Sequence, residues 1–209
     1  MLKQIIAVAA VVLGCSAWFS GFAHADSEFT ALNKDVAKVM NPNGCVSAGT
    51  WYPTTFKELA VAAGAPNAEL CIVRDMPFVS LALLDGTVIV DLEFITSKSS
   101  NAVKFLFAHE LSHVRFGDSA ARVRFIRETS GKPLDTLAEL ENAVTHMPLA
   151  ALQKYSELAI KQEYAADKVA YVLTGVPLDV VREIISEEDS SITHPSGTQR
   201  FAALANFAR

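Results

Sequence analysis

Cysteine is scarce in this chain, with three in 209 residues. None forms a C-x-x-C pair, which excludes a metal site of that type. Positive charge is not in excess: 18 Lys and Arg stand against 23 Asp and Glu, a formal net charge of −5. That argues against nucleic acid as a partner, because phosphate backbones select a basic face. No low-complexity tract and no internal repeat is present, so disordered and solenoid architectures are set aside. No linker divides the chain, and its length suits one domain over 26–209. What the sequence does hold is apolar: 51% of it is hydrophobic, enough for a sizeable core.

The first 25 residues have the layout of an export signal. Met1 to Lys3 give a short positive start, Ile5 to Leu13 an uncharged apolar run, and Ala23-His24-Ala25 small residues where a signal peptidase cuts. A retained membrane helix is the alternative. It needs about 20 apolar residues, and Ser16, Ser20 and small residues dilute the stretch. Val12-Leu13-Gly14-Cys15 also resembles a bacterial lipobox, with a large Leu13 where a smaller residue is usual. Lipidation at Cys15 would add peripheral membrane association. Both processing routes place the rest of the chain outside the cytoplasm, periplasmic or secreted. Removing Cys15 leaves Cys45 and Cys71, an even pair that in an exported chain reads as a disulfide. Closing that loop stabilises by about 3.5 kcal/mol in the chain-entropy model. The alternative is two buried thiols.

The pattern predicts a mostly helical α+β chain. Helical spacing runs from Glu28 to Met40, ended by Asn41-Pro42-Asn43-Gly44, and from Thr55 to Ala63, closed by Gly64. Cys71 to Val73 reads as a short strand. Phe78 to Leu84 and Thr87 to Leu92 flank Asp85-Gly86, a strong antiparallel hairpin signal. Ser99 and Ser100 can cap a helix from about Asn101 to Phe116. Asp118 to Met147 reads as helix in pieces, broken at Lys132-Pro133. A long helix follows from Leu149 to Thr174, stopped by Gly175 and Pro177. Leu178 to Ser186 and Ser196 to Phe207 are the last helices, around a polar loop from Glu187 to Pro195.

The helix after Asn101 is apolar nearly all round, yet it carries His109, Glu110 and His113. Burying three polar groups without partners costs several kcal/mol, which a bound metal offsets. His109 and His113 stand at i and i+4, so both imidazoles leave one face about a turn apart and can reach one zinc ion at about 2.0–2.1 Å. Glu110 lies beside the first ligand, where it can take a proton from an activated water and pass it to a leaving amine. This is the H-E-x-x-H signature. The extended pattern H-E-x-x-H-x-x-G-x-x-H would need Gly at Phe116 and His at Ser119, so a metzincin is excluded.

A catalytic zinc needs a third protein ligand. On the long helix, Leu152, Tyr155, Ala159, Glu163, Ala166, Asp167 and Ala170 follow one stripe. Glu163 can bind the metal, and Asp167, one turn on, can accept the free N–H of a ligating imidazole. A solvated acidic face is the plainer reading, and His146 and Asp118 are rival ligands.

Three ordered motifs then resemble the HtpX-like zinc metallopeptidases, peptidase family forty-eight, which include the CaaX prenyl protease. They are Phe107 to Val114 as the zinc helix, Glu163-Tyr164-Ala165-Ala166-Asp167 as its E-x-x-A-D segment, and Thr193-His194-Pro195-Ser196 followed by Arg200. The hairpin from Ser80 to Val90 is similar to the strands before that helix, and the resemblance covers roughly Pro77 to Phe207. It implies a zincin-like fold and one Zn²⁺ per chain held by His109, His113 and Glu163, with Glu110 as general base. It also implies Asp167 and Arg200 behind the ligands, His194 near the metal, and strand addition of an extended protein or peptide substrate beside the hairpin. Departures exist: Ile160 and Lys161 stand where an arginine precedes the glutamate, Ala165 replaces an acidic residue, and no transmembrane pair interrupts the catalytic part.

The expected function is therefore an exported bacterial zinc metalloendopeptidase, acting on proteins, with envelope quality control as the substrate setting the family suggests. Two alternatives stay open: a zinc-bearing, chaperone-like binding module, and a cell-wall peptide hydrolase. His194 has two possible jobs. As imidazolium it would stabilise an oxyanion; as a neutral fourth ligand it would block the site.

Overall fold

The structure, a computed structural model, describes residues 29–40, 44–76, 78–185 and 191–209. The export signal, Cys15 and the turn at 41–43 lie outside them. Nine helices and three strands follow in order among the described residues: α1 (Thr30–Met40), α2 (Trp51–Ala63), β1 (Glu69–Val73), β2 (Ser80–Ala82), β3 (Thr87–Asp91), α3 (Leu92–Ser97), α4 (Ser100–Phe116), α5 (Asp118–Ser130), α6 (Leu137–Thr145), α7 (Leu149–Thr174), α8 (Leu178–Ile185) and α9 (Gly197–Phe207). The α+β class and the mostly helical body stand as expected.

The expected antiparallel hairpin is present as β2 and β3, but the sheet as a whole is mixed rather than antiparallel. Its order is β1-β3-β2, with β1 parallel to β3 and β2 antiparallel to β3. The hairpin turns at Gly86, whose φ of 88° needs a residue without Cβ. The register explains why β1 and β3 look continuously apolar. Cys71, Ile89 and Leu81 lie in one row, and Ile72, Val90 and Ser80 in the next. Side chains alternate faces, and here both faces are covered. Cys71, Val73, Leu81 and Ile89 join Leu32 and Val36 of α1, Val123 and Ile126 of α5 and Leu140 of α6 in one apolar cluster. Ile72, Val88 and Val90 join Phe56 of α2 and Phe105, Phe107 and Leu111 of α4 in the other. A local alternation rule cannot announce a sheet that is buried on both sides.

Helix ends follow local chemistry. Ser99 caps α4 by accepting from the Ala102 N–H, and Ser196 caps α9 in a reciprocal box with Gln199. The α2 helix starts at Trp51 rather than Thr55, because Pro53 falls in the first turn, where its missing N–H has no helical partner anyway. The short α3 carries too little periodicity to be seen in advance. Cys45 and Cys71 form a disulfide with Cα atoms 5.1 Å apart, which fastens the segment before α2 to β1. Among the described residues, no helix is long and apolar enough to cross a membrane.

Candidate metal centre

The α4 helix runs through the middle of the molecule, with every residue from Phe105 to Val114 buried. It packs along α7, and Phe107 meets Phe56 of α2 edge to face, with ring centroids 5.4 Å apart. This embedding fixes the helix rotation. His109 and His113 therefore face α7, where Glu163 is fully buried.

The three side chains converge. The Nε2 atoms of His109 and His113 lie 2.9 Å apart, His109 Nε2 is 3.4 Å from Glu163 Oε2, and His113 Nε2 is 3.9 Å from Glu163 Oε1. Ligand atoms 2.0–2.1 Å from one tetrahedral ion sit about 3.3 Å from one another, so these separations suit a single zinc. The outward nitrogens have acceptors. His109 Nδ1 lies 3.0 Å from Asp167 Oδ1, and His113 Nδ1 lies 2.7 Å from Asp118 Oδ2. When each Nδ1–H donates to its carboxylate, both Nε2 lone pairs point at Glu163, and three acceptors meet. A cation satisfies all three at once.

Charge agrees with that fit. Glu110, Asp118, Glu163 and Asp167 are buried around Arg122 and Arg200, four carboxyl groups to two guanidiniums. Arg200 holds Asp167 in a two-pronged contact, Nη2 to Oδ1 at 2.7 Å and Nε to Oδ2 at 2.9 Å. Burial would raise the Asp167 pKa, but this guanidinium overrides it and holds the carboxyl at about 2. Glu163 is likewise driven well below the ordinary carboxylate range: burial opposes this, and His194, His109, Arg200 and His113 outweigh it. Burial would lower the His109 pKa, yet hydrogen bonds to Asp167 and Glu163 lift it to about 10.

Glu110 leaves α4 on the side of the sheet. Ser80, first residue of β2, donates its hydroxyl to Glu110 Oε1 at 2.6 Å. The register dictates this meeting, because the row Ile72–Val90–Ser80 faces α4, and a slip of one residue would turn Ser80 away. Burial pushes the Glu110 pKa up, opposed by the charge of His109 and the Ser80 hydrogen bond.

The remaining candidates separate. Asp118, a rival ligand by sequence, sits behind His113 instead. Gly117, at φ 67°, ends α4 and lets α5 start at once, which folds Asp118 back onto the imidazole. The other rival, His146, is exposed at the end of α6 and bonded to the Asn142 carbonyl. His194 reaches the centre's edge, with Nε2 3.4 Å from Glu163 Oε1 and Nδ1 2.9 Å from Thr193 Oγ1. It stays outside the group of His109, His113 and Glu163, whose ligand atoms all lie within 4.8 Å of one another. Burial, and then the charges of Arg122, Arg200 and His109, push its pKa down to about 4 despite Glu163, which disfavours the imidazolium form. Ser80 and Arg122 were not legible beforehand: one depends on strand register, the other on the packing of α5 against α7.

The family model described as Peptidase family M48 matches residues 49–208. No curated protein and no solved structure matches the chain.

Proposed function

Because the chain belongs to peptidase family M48, we propose that it is an exported zinc metalloendopeptidase with His109, His113 and Glu163 as ligands and Glu110 as general base. The observation that carries this reading is the convergence of two imidazole nitrogens and one carboxylate next to a second, Ser80-bonded carboxylate. The ion at such a site supplies Lewis-acid polarisation of a peptide carbonyl and of water.

The chain's own residues do the rest. Asp167 and Asp118 keep His109 and His113 in the tautomer whose Nε2 is a ligand. Glu110, its proton affinity raised by burial, takes a proton from the attacking water and returns it to the leaving amine. Ser80 steers the Glu110 carboxylate through its 2.6 Å hydrogen bond. His194, whose Nε2 lies 3.4 Å from Glu163 Oε1, donates an N–H toward charge that develops on the carbonyl oxygen.

An extended peptide fits beside β2. Leu83 and Val79 bond to Thr87 and Asp91 across the hairpin, so the backbone of Leu81 also faces β3, and that of Ser80 and Ala82 faces outward. Ser119 donates to the Ala82 carbonyl, which leaves the Ser80 end of β2 for strand addition next to Glu110. Export is supported by the signal-like start and by the Cys45–Cys71 disulfide, a bond that persists in oxidising compartments. A protein substrate in the cell envelope is the natural setting for such an enzyme.

Zinc content and casein cleavage test this, comparing wild type with Glu110→Gln. One zinc in both, with turnover lost by a factor of about 10²–10⁴ in the variant, is expected for a positioned proton-transfer group. Zinc without cleavage in either protein would instead mark a binding module.

A further inference from the structure

Arg122 is completely buried, and the chemistry above does not use it. A guanidinium in a protein interior is costly unless something holds it. Arg122 stands on α5 one turn after Asp118, so both side chains leave the same face of that helix. Its Nε donates to Gln162 Oε1 at 3.1 Å, and its Nη2 lies 3.6 Å from Glu163 Oε1. One planar group thus spans two consecutive residues of α7, the second of which belongs to the metal centre. On the other side, Arg200 Nη1 lies 3.7 Å from Glu163 Oε2. The carboxylate sits between two cations, brought by α5 and α9, helices that supply no ligand. One turn of α5 also addresses both metal helices: Asp118 holds His113 of α4, and Arg122 approaches Glu163 of α7.

We propose that Arg122 is a positioning residue of the metal site: aimed by Gln162, its guanidinium fixes the rotation of the Glu163 carboxylate so that it faces the imidazoles before the ion arrives. This rests on the reading of His109, His113 and Glu163 as ligands. The role has a distinctive sign. A cation this close also repels a divalent ion, so a guanidinium that did nothing but sit there would weaken zinc binding, and its removal would tighten it. A guanidinium that orders the ligand strengthens binding. Lysine cannot substitute fully, because an ammonium is a point charge and cannot span Gln162 and Glu163 together.

The test is zinc affinity by chelator competition on the full mature chain, with the melting temperature of the metal-free protein measured alongside. The variants are Arg122→Met, Arg122→Lys and Gln162→Met. Wild type is expected to bind one zinc, and Arg122→Met to bind it about 10- to 100-fold more weakly, the usual range for a group behind a ligand. Gln162→Met, which leaves the charge but removes its aim, is expected to lose affinity in the same direction by less. Affinity equal to wild type or tighter in folded Arg122→Met overturns the proposal. If that variant does not fold, equal or tighter binding in both Gln162→Met and Arg122→Lys overturns it. A lowered melting temperature with unchanged zinc affinity marks a packing role and also overturns it. Wild type that binds no zinc defeats the ligand assignment itself, a different failure from wild type and variants that bind alike.

Discussion

Replacing Asp118 isolates what a carboxylate behind a ligand contributes. Asp118 is 1% exposed, and its Oδ2 lies 2.7 Å from His113 Nδ1. That is a charge-assisted hydrogen bond, worth about 1.5–3 kcal/mol against roughly 0.5–1.5 for a neutral one. Asp118→Asn keeps an acceptor of the same shape and removes the charge, so the expected loss is about 1–1.5 kcal/mol, or about tenfold in zinc affinity. Asp118→Ala removes the acceptor, leaves a buried Nδ1–H unpaired and frees the ring to adopt the wrong tautomer, so about a hundredfold loss is expected. Chelator competition near neutral pH reads both. The Gly117 turn is unchanged in either variant, so the metal-free helices should still form, which far-UV circular dichroism checks. Affinities of both variants indistinguishable from wild type would refute the argument that Asp118 orients a ligand.

Three further outcomes are expected. Cys45→Ser with Cys71→Ser should cost about 3.5 kcal/mol of stability, read by denaturant unfolding, since the disulfide closes a loop with a sequence separation of 26; unchanged stability would mean the bridge does not constrain the unfolded chain. Zinc affinity should rise with pH, because the His109 pKa is raised to about 10 in the metal-free protein and the proton must leave before the ion binds. The slope is about tenfold per pH unit for one proton between pH 6.5 and 8.5, and a flat profile would contradict it. His194→Ala should lower turnover with zinc retained, whereas a rise in basal activity would identify His194 as a blocking ligand.

How much of this was legible in the sequence depends on the range of the interaction that decides each feature. The helix limits at Ser99, Gly117 and Gly175 rest on caps and on glycines at φ 61° to 67°, which are local and visible. His109 and His113 share one turn, and Glu163 and Asp167 another, so each pair could be proposed from spacing alone. The pairing of those turns could not, because it depends on how α4 rotates against α7. Asp118 shows the limit plainly. The acid and its distance from His113 are plain in the sequence, but only the Gly117 reversal decides whether it faces the ligand cluster or stands behind the imidazole.

The features that escaped the sequence are the ones set by non-local register. The parallel pairing of β1 with β3 joins strands separated by β2, and it leaves no alternation because both sheet faces are buried. That pairing makes β3 the central strand and β2 the edge. The antiparallel register then turns Ser80 toward α4, and Ser80 meets Glu110 there at 2.6 Å. A serine at the start of a three-residue strand carries no signal by itself. It acquires a role in the proposed mechanism, because the edge strand proposed to receive a peptide also hands a hydrogen bond to the group proposed to move the proton. On that proposal, substrate docking on β2 and the orientation of Glu110 are mechanically linked. A change that shifts β2, even one distant from His109 and His113, should alter turnover before it alters metal binding.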